Sequence, residues 1–432
     1  MTAITPDKAV GPDSSRTLVI ATAKHWGLPI TLAVIAVLSL ILFGLRTPDG
    51  VTTTFSLSRP SDVITIAPII VASRMTAIVM SLLALAVAGY AAWRVYEGKR
   101  IGWWPPVLYG LLVMTALLSW AGAGKTDTSI QVTGLLTGAV LLSVPLVFGS
   151  LAGVVCERSG IINIAIEGQL LAGAFIAAVV ASALGNPYLG LISAPIAGAL
   201  VGAVLALFSV KYWVNQIVVG VVLNVLVIGF TNFMFGTILR DNPDLNQSMR
   251  LPTLPIPGLS KIPVIGPMLF NHTILVYVMF ATVVALSIML FKSRWGLRVR
   301  AVGEHPKAAD TVGIKVNRTR VRNTMLGGAI AGLGGAFFTV ASGLAFGKEM
   351  TAGAGYIALA AMILGRWKPA GAMAAAMLFG FANSLKDQLG IVGSSIPSQF
   401  LAMLPYLATI LAVAGFVGHA KPPAAEGTPY KK

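Results

Sequence analysis

Residues 292–322 read K-S-R-W-G-L-R-V-R-A-V-G-E-H-P-K-A-A-D-T-V-G-I-K-V-N-R-T-R-V-R, a polar island between two long apolar runs. The island holds nine Lys and Arg against two acids, Glu304 and Asp310. Basic loops between apolar segments are typical of the cytoplasmic face of a membrane protein, where Lys and Arg concentrate. The island therefore predicts a part of the chain that lies outside the bilayer on the cytoplasmic side.

A short helix of two turns is predicted inside the island. Pro306 suits its first turn, where the missing N–H needs no partner. Ala308, Ala309 and Val312 would form a small apolar face. Gly313 stands where a left-handed C-cap would end this helix.

The composition around the island indicates a polytopic membrane protein. The 432 residues are 56% hydrophobic and 11% charged, with a mean hydropathy of +0.83. Several apolar runs exceed about 18 residues, the length of a spanning helix. The net charge of +16 fits basic cytoplasmic loops better than it fits a nucleic-acid partner. The single cysteine, Cys156, excludes an internal disulfide and a multi-cysteine metal site.

We predict an all-α bundle of about twelve membrane segments with both termini in the cytoplasm. In this topology 22 of the 31 Lys and Arg fall on the inner side, as the positive-inside rule requires. Segment 353–365 is too short to cross about 30 Å of hydrocarbon, so it is either tilted or a half-helix sheltered by its neighbours. The predicted segments are 28–45, 68–92, 103–121, 130–150, 161–184, 189–210, 215–239, 273–291, 323–346, 353–365, 370–390 and 399–418.

The composition of the sequence changes near residue 128. Residues 1–128 hold three apolar segments, long polar connections and few polar groups at membrane depth. Residues 129–420 are richer in glycine and in polar groups inside the apolar runs. We predict an N-terminal extension over 1–128 and a separate membrane core over 129–420, with the island at 292–322 inside that core.

Glu167 is an ionisable residue inside a predicted span. Such residues are costly in a membrane and indicate a functional site by default. Asn163 lies four residues earlier and would share a helix face with Glu167, while Gly168 would permit a helix break or a close approach. Three roles stay open for Glu167: capping a broken helix or bonding a neighbouring backbone, contacting a solute, or lining a water path.

Amides at membrane depth are the second group of candidates. They bond across helices, and they also suit an uncharged polar solute that needs both donors and acceptors. Asn224 is the best placed, near the middle of its segment, and Asn383 is a further candidate. Phe148, Phe175 and Phe230 could stack on a base or a sugar, with ordinary packing as the alternative.

The apolar helix after the island carries a small-residue motif. Gly328 and Gly332 form G-x-x-x-G, which allows two membrane helices to pack closely. A helix that leaves the island and packs tightly in the core could transmit a push on the island as a rigid-body shift.

Enzyme chemistry is not indicated by the sequence. Residues 122–126, G-A-G-K-T, resemble the end of a phosphate-binding loop, but Ser119 stands where the first glycine is needed. No Ser/His/Asp set, metal-ligand spacing or carboxylate pair occurs in the sequence. We therefore expect no catalytic residue, no metal and no cofactor, and we expect any ATP to bind to another chain.

Three segments resemble one family of transport proteins. E-R-S-G-I-I-N-I-A-I-E-G-Q-L-L-A-G-A-F at 157–175 resembles the signature of permease subunits in bacterial ABC importers for nucleosides and simple sugars. R-A-V-G-E-H-P-K-A-A-D-T-V-G-I at 300–314 resembles their cytoplasmic coupling loop, and residues 353–372 resemble a third family segment. The resemblance covers about 130–418 and is nearest to the nucleoside-type branch that works with basic-membrane-protein lipoproteins.

The resemblance implies a multi-pass subunit in a bacterial cytoplasmic membrane. It would pair with a second, homologous permease, with two ATP-binding subunits docked on the paired coupling loops and an extracytoplasmic lipoprotein delivering solute. The implied function is import of nucleosides or related small polar solutes. Simple-sugar import, a proton-coupled secondary transporter using Glu167 and a non-transporting scaffold are the alternatives.

These expectations assign roles to two sets of residues. Asn163, Glu167 and Gly168 match the family's signature helix. The candidates for solute binding and translocation are Asn163, Glu167, Gly168, Asn224, Asn383 and Phe148. The candidates for coupling to the ATPase are Gly303, Glu304, His305, Pro306, Ala308, Ala309, Gly313 and Ile314.

Overall fold

The computed structural model describes residues 26–59, 62, 64–125, 128–247, 249–394, 396–397, 399–401, 403 and 421–431. The fold of these residues is predominantly α-helical, as predicted. The α-helices are α1 Gly27–Ser39, α2 Ser73–Tyr96, α3 Trp104–Ala121, α4 Val132–Glu157, α5 Ile166–Leu184, α6 Pro187–Ala206, α7 Gln216–Met234, α8 Ile265–Leu269, α9 Ile274–Lys292, α10 Arg294–Glu304, α11 Pro306–Thr311, α12 Val316–Gly335, α13 Ala354–Leu364 and α14 Pro369–Ile391.

Short helical stretches of other pitch extend or connect these helices. Those of π type follow α1, α6, α7 and α12 and are Leu40–Leu45, Leu207–Lys211, Phe235–Leu239 and Phe337–Ala341. Those of 3-10 type are Pro243–Asn246 and Leu259–Lys261. The strands are β1 Thr52–Ser56, β2 Ile69–Ala72, β3 Ile130–Gln131, β4 Thr253–Pro255 and β5 Asn271–Thr273.

Nine helices within the described residues are long and apolar enough to cross a membrane. Helix α13, with 11 residues, is about 16 Å long and cannot cross, so segment 353–365 forms a half-length helix. Helix α14 has 23 residues but is not among the nine, because Asn383, Lys386 and Asp387 lower its hydropathy. The predicted segment 399–418 lies mostly outside the described residues, so the count of twelve stays a prediction.

The chain divides into two compact units. The first comprises the described part of Met1–Pro48 together with Arg74–Trp120, and the second comprises Asp49–Ser73 and the described part of Ala121–Lys432. In the first unit, α1, α2 and α3 pack through buried alanines, and the Tyr109 hydroxyl donates a hydrogen bond to the Leu32 carbonyl at 2.6 Å. The boundary predicted near residue 128 stays a prediction.

The second unit is built around α4 and α12. In the most apolar 18-residue stretch of α4, 89% of the residues are buried, whereas the share for the helical span that begins with α7 is 28%. Helix α4 is therefore central, and most of the α7 surface faces outward. Helix α12 packs on α6 with the two backbones in direct contact. A Cβ on Gly328 would lie 2.3 Å from the Gly198 carbonyl oxygen, and one on Gly332 would lie 2.3 Å from the Ala194 carbonyl oxygen. The close packing predicted from Gly328 and Gly332 is therefore confirmed.

The two ends of the second unit differ in structure. At one end, β1 pairs antiparallel with β2 and parallel with β3, in the order β2-β1-β3, and β4 pairs antiparallel with β5. The opposite end carries the polar island. There α9 ends at Lys292, α10 and α11 follow, and α12 begins at Val316.

The island contains more helix than predicted. Pro306 opens α11, and Gly313 follows it with φ +85°, both as predicted. The helix α10 was not predicted, because its apolar side is narrow, with Val299 and Val302 buried among basic residues. Of the predicted apolar face, Ala309 is buried, whereas Ala308 is exposed and Val312, which follows α11 directly, is 75% exposed.

Candidate functional site

A turn at residues 158–165, called the signature turn here, interrupts the helices before α5. Gly160 takes φ +88°, and Asn163 lies in non-helical backbone, since α5 begins at Ile166. The predicted shared helix face of Asn163 and Glu167 is therefore wrong. The Asn163 amide instead exchanges two hydrogen bonds with the Gln169 side chain, at 3.0 and 3.2 Å.

Glu167 holds the start of α13. Its Oε1 accepts hydrogen bonds from the Thr351 hydroxyl at 2.6 Å and the Gly353 N–H at 2.9 Å, and its Oε2 accepts one from the Gly355 N–H at 2.6 Å. The first N–H groups of a helix have no intrahelical partner, and a carboxylate is well suited to accept from them. Gly355 packs directly on this group, because a Cβ there would lie 2.4 Å from the Glu167 nitrogen. This geometry supports the capping role among the three that the sequence left open.

Asn224 clamps the same region from α7. Its Oδ1 accepts from the Gly168 N–H at 2.8 Å, and its Nδ2 donates to the Ile164 carbonyl at 2.9 Å and to the Tyr356 hydroxyl at 3.2 Å. Gly168 is needed for this contact, since a Cβ there would lie 3.1 Å from Asn224 Oδ1. The Asn224 amide therefore links α7 to the start of α5, to the signature turn and to α13.

The candidate aromatic residues lie in packed surroundings. Phe148 is fully buried and lies against Gly334. A Cβ added to Gly334 would lie only 2.6 Å from the Cβ of Phe148. Phe175 makes edge contacts with Phe230 and Phe346, at centroid distances of 6.3 and 5.2 Å. These positions support the packing alternative.

A cavity of about 350 Å³ lies beside this network. It is bounded by α4, the stretch after α12, the start of α13 and the end of α14. Thr351 links it to Glu167, because it lines the cavity and donates to that carboxylate. The residues that line it are Leu142, Pro145, Leu146, Phe337, Phe338, Met350, Thr351, Ala352, Ala354, Ile357, Asn383 and Lys386.

Of the predicted solute-binding residues, the cavity contains Asn383. Glu167 and Asn224 lie behind its wall and position Thr351 and α13. Sequence reasoning missed Lys386, although an ionisable residue near the end of a predicted span was a usable signal. Phe337 and Phe338 are the aromatic residues at the wall, and they stack edge-on at 5.7 Å.

Most residues expected to couple to an ATPase lie within Arg294–Thr311, which comprises α10 and α11 and is called the coupling segment here, while Gly313 and Ile314 follow it. Gly303 packs on the signature turn, because a Cβ there would lie 2.2 Å from the Arg158 carbonyl oxygen. Ala309 is buried with Val302 and Val316, and Ile314 packs against that cluster. The side chains of His305, Pro306 and Ala308 instead border an open groove.

Arg158 ties the signature turn to two other elements. Its Nε donates to the Trp367 carbonyl at 3.1 Å, and its guanidinium lies 6.0 Å from the Phe291 ring centroid. Burial lowers the pKa of Arg158 from its ordinary value. The Trp367 indole in turn donates to the Glu157 carboxylate at 2.6 Å. The turn, the coupling segment and the end of α13 therefore form one connected structure.

Comparison with known proteins identifies the family. Residues 135–414 match the family described as "Branched-chain amino acid transport system / permease component". The chain is 38% identical over 321 residues to the guanosine ABC transporter permease protein NupQ of Bacillus subtilis, covering 70% of this chain and 98% of that protein. It is 38% identical over 307 residues to the nucleoside ABC transporter permease protein NupC of Lactococcus lactis, covering 69% and 96%.

A relative with a different named solute is more distant. The putative glucose ABC transporter permease protein TsgC13 of Haloferax volcanii is 30% identical over 297 residues, covering 64% of this chain and 89% of that protein. No solved structure matches the chain. The chain belongs to the permease family of ABC transport systems, as the resemblance of its motifs predicted. It is therefore a multi-pass transporter component that works with ATP-binding and substrate-binding components, and it is not itself an enzyme.

Proposed function

We propose that the chain is the permease of an ATP-driven importer for nucleosides or closely related small polar solutes. The observation that carries this proposal is the 38% identity to a guanosine permease, sustained over 98% of that protein's length. The family match over residues 135–414 includes the cavity and the coupling segment.

The chemistry of the cavity supports this proposal. Small-molecule sites are mostly apolar cavities of about 300–1,000 Å³ with a few polar groups that orient the ligand. Here the Asn383 amide offers both a donor and an acceptor, the Lys386 ammonium offers donors, and Phe337 and Phe338 offer aromatic surface. These groups suit the amide-like edge and flat face of a nucleobase.

The proposed assembly contains a second homologous permease, two cytoplasmic ATP-binding subunits and an extracytoplasmic binding lipoprotein in a bacterial cytoplasmic membrane. In this arrangement the coupling segment and both termini face the cytoplasm. The side chains of His305, Pro306 and Ala308 and the exposed Val312 would then face the ATP-binding subunit.

A route from the ATPase to the cavity can be followed through the contacts described above. Movement of the coupling segment would pass through Gly303 to the signature turn, and through α12 to the helices packed on Gly328 and Gly332. The signature turn leads directly into α5, whose Glu167 holds Thr351 at the cavity wall. A rigid shift of these elements would change access to the cavity.

Competition for uptake tests the proposed substrate class. Proteoliposomes containing all four kinds of component would take up radiolabelled guanosine, with excess unlabelled uridine, adenosine, ribose or glucose added separately. We expect competition by nucleosides and none by sugars. Competition by ribose or glucose alone would replace the nucleoside assignment with a simple-sugar permease, the alternative suggested by the glucose permease relative.

A further inference from the structure

The C-terminal segment 421–431 returns to the coupling segment. Within the described residues it forms the last element of the second unit, and its backbone contacts both the coupling segment and the signature turn. We call it the tail. Apart from its lysines, nothing in this segment predicts a structure, because it is short and lacks helical or strand periodicity.

The tail completes the end of α10. The Ala425 N–H donates to the Gly303 carbonyl at 2.9 Å, and the Ala424 N–H donates to Glu304 Oε2 at 3.1 Å. The last carbonyls of a helix have no intrahelical partner, so the tail supplies a donor that α10 lacks. Because Gly303 also touches Arg158, the tail bonds to α10 at the residue that meets the signature turn.

Arg320 of α12 holds the tail from beneath. The side chain is 1% exposed, and its Nη1 donates to the Thr428 carbonyl at 2.7 Å while its Nη2 lies 3.4 Å from the Ala425 carbonyl. A buried guanidinium is costly unless hydrogen-bond acceptors surround it. Within the described residues, the acceptors of this guanidinium are carbonyl oxygens of the tail, so docking of the tail offsets much of the cost of burying Arg320. The Gly427 N–H adds a bond to the Gly160 carbonyl at 3.3 Å.

Side chains fix both halves of the tail. Glu426 lies beside the carboxyl group of Glu157, to which the Trp367 indole donates a hydrogen bond at 2.6 Å. Further along, Lys431 lies 4.8 Å from the Trp213 ring centroid, and Tyr430 packs against the cluster of Val302, Ala309 and Val316.

Given the proposed function, we propose that the tail is a strap through which Arg320, acting as a positioning residue, holds the coupling segment to the signature turn. The strap makes these two elements move together, so that motion imposed on the coupling segment reaches α5 and the cavity. Without the strap, the coupling segment can still meet the ATPase but moves partly on its own.

Cysteine labelling tests whether the tail docks through Arg320. Ala424 is exposed and Ala425 is 7% exposed, so the adjacent variants Ala424→Cys and Ala425→Cys are matched, and the native Cys156 is fully buried. The purified chain in nanodiscs would be reacted with a maleimide-polyethylene glycol. We expect Ala425→Cys to react about tenfold more slowly than Ala424→Cys, and Arg320→Gln to bring the two rates together. Equal rates in the parent chain would overturn the strap.

The coupling role needs a transport readout. In the reconstituted importer, Arg320→Gln and truncation after Lys421 should lower solute imported per ATP hydrolysed severalfold, with complex assembly and half-saturating solute concentration unchanged. Arg320→Lys should lose less than Arg320→Gln, because lysine keeps the positive charge but cannot present the planar set of N–H donors of a guanidinium. Arg318→Gln, an exposed arginine on the same helix, is the control.

The two proposals fail in different ways. A parent importer without ATP-driven uptake would remove the proposed function and leave the labelling result standing. Normal coupling in both strap variants, with a working parent importer, would remove the strap alone.

Discussion

Glu167→Gln isolates the role of the buried carboxylate in α5. In the native chain this group accepts three hydrogen bonds, two on Oε1 and one on Oε2. A glutamine can keep its carbonyl oxygen towards Thr351 and Gly353, but its NH₂ group then faces the Gly355 N–H. Two donors cannot bond to each other, so one buried N–H loses its partner and one charge-assisted bond is lost.

The expected cost follows from these contacts. An unsatisfied buried donor and a lost hydrogen bond to a charged group together cost roughly 2–4 kcal/mol. The cost falls on the start of α13 and on Thr351 at the cavity wall. We therefore expect Glu167→Gln to lower the melting temperature in nanodiscs and to weaken solute uptake as a consequence of a disordered wall.

The control is Glu349→Gln, which changes an exposed carboxylate near the same end of the unit. Surface substitutions of this kind usually change the unfolding free energy by less than about 0.5 kcal/mol. The melting temperatures of the two variants and of the parent chain are compared to test the capping role of Glu167. A Glu167→Gln chain that melts like the parent but no longer takes up solute would refute the capping role and favour direct solute contact.

Four further substitutions and one control, Gly229→Ala, test other parts of the structure. Gly332→Ala should abolish folded protein, measured by size-exclusion and melting, whereas Gly229→Ala, with no atom within 4 Å of its added Cβ, should be tolerated. Asn383→Ala should raise the half-saturating solute concentration for uptake without changing the amount of inserted protein, because it removes a polar group from the cavity. Gly313→Pro should leave insertion intact and uncouple ATP hydrolysis from uptake, since φ +85° is closed to proline and the end of α11 must rearrange; a normal ratio of uptake to hydrolysis would contradict this. Burial raises the pKa of Glu426, so the docked tail binds its proton more tightly than a free tail, and docking should weaken as the pH rises through that pKa; Glu426→Gln should remove this pH dependence of cysteine labelling in the tail, and an unchanged dependence would assign it to another group.

The features that were predicted from the sequence depend on residues close together in the chain. Pro306 and Gly313 mark the ends of α11 because their backbone restrictions act within one turn. Gly328 and Gly332 predicted close helix packing because only small residues allow backbones to meet. Apolar length predicted the spanning helices, and the basic island was recognised from charge alone.

Other features depend on contacts distant in sequence and escaped prediction. Helix α5 starts at Ile166 rather than near 161, because side chains of α7 bond to the backbone of the turn: Gln216 accepts from the Ile162 N–H and Asn224 donates to the Ile164 carbonyl. The role of Glu167 depends on Gly353 and Gly355, almost two hundred residues away. The tail has no periodicity of its own and takes its structure from Arg320 and Gly303.

We propose that this permease imports a nucleoside-like solute at the expense of ATP hydrolysed on its partner subunits. Uptake of radiolabelled guanosine into proteoliposomes of the complete importer, measured with ATP, without ATP and with an imposed proton gradient alone, tests it directly. We expect accumulation that requires ATP and does not change when a proton gradient is imposed. Accumulation by this chain alone, driven by the proton gradient in the absence of ATP, would contradict it.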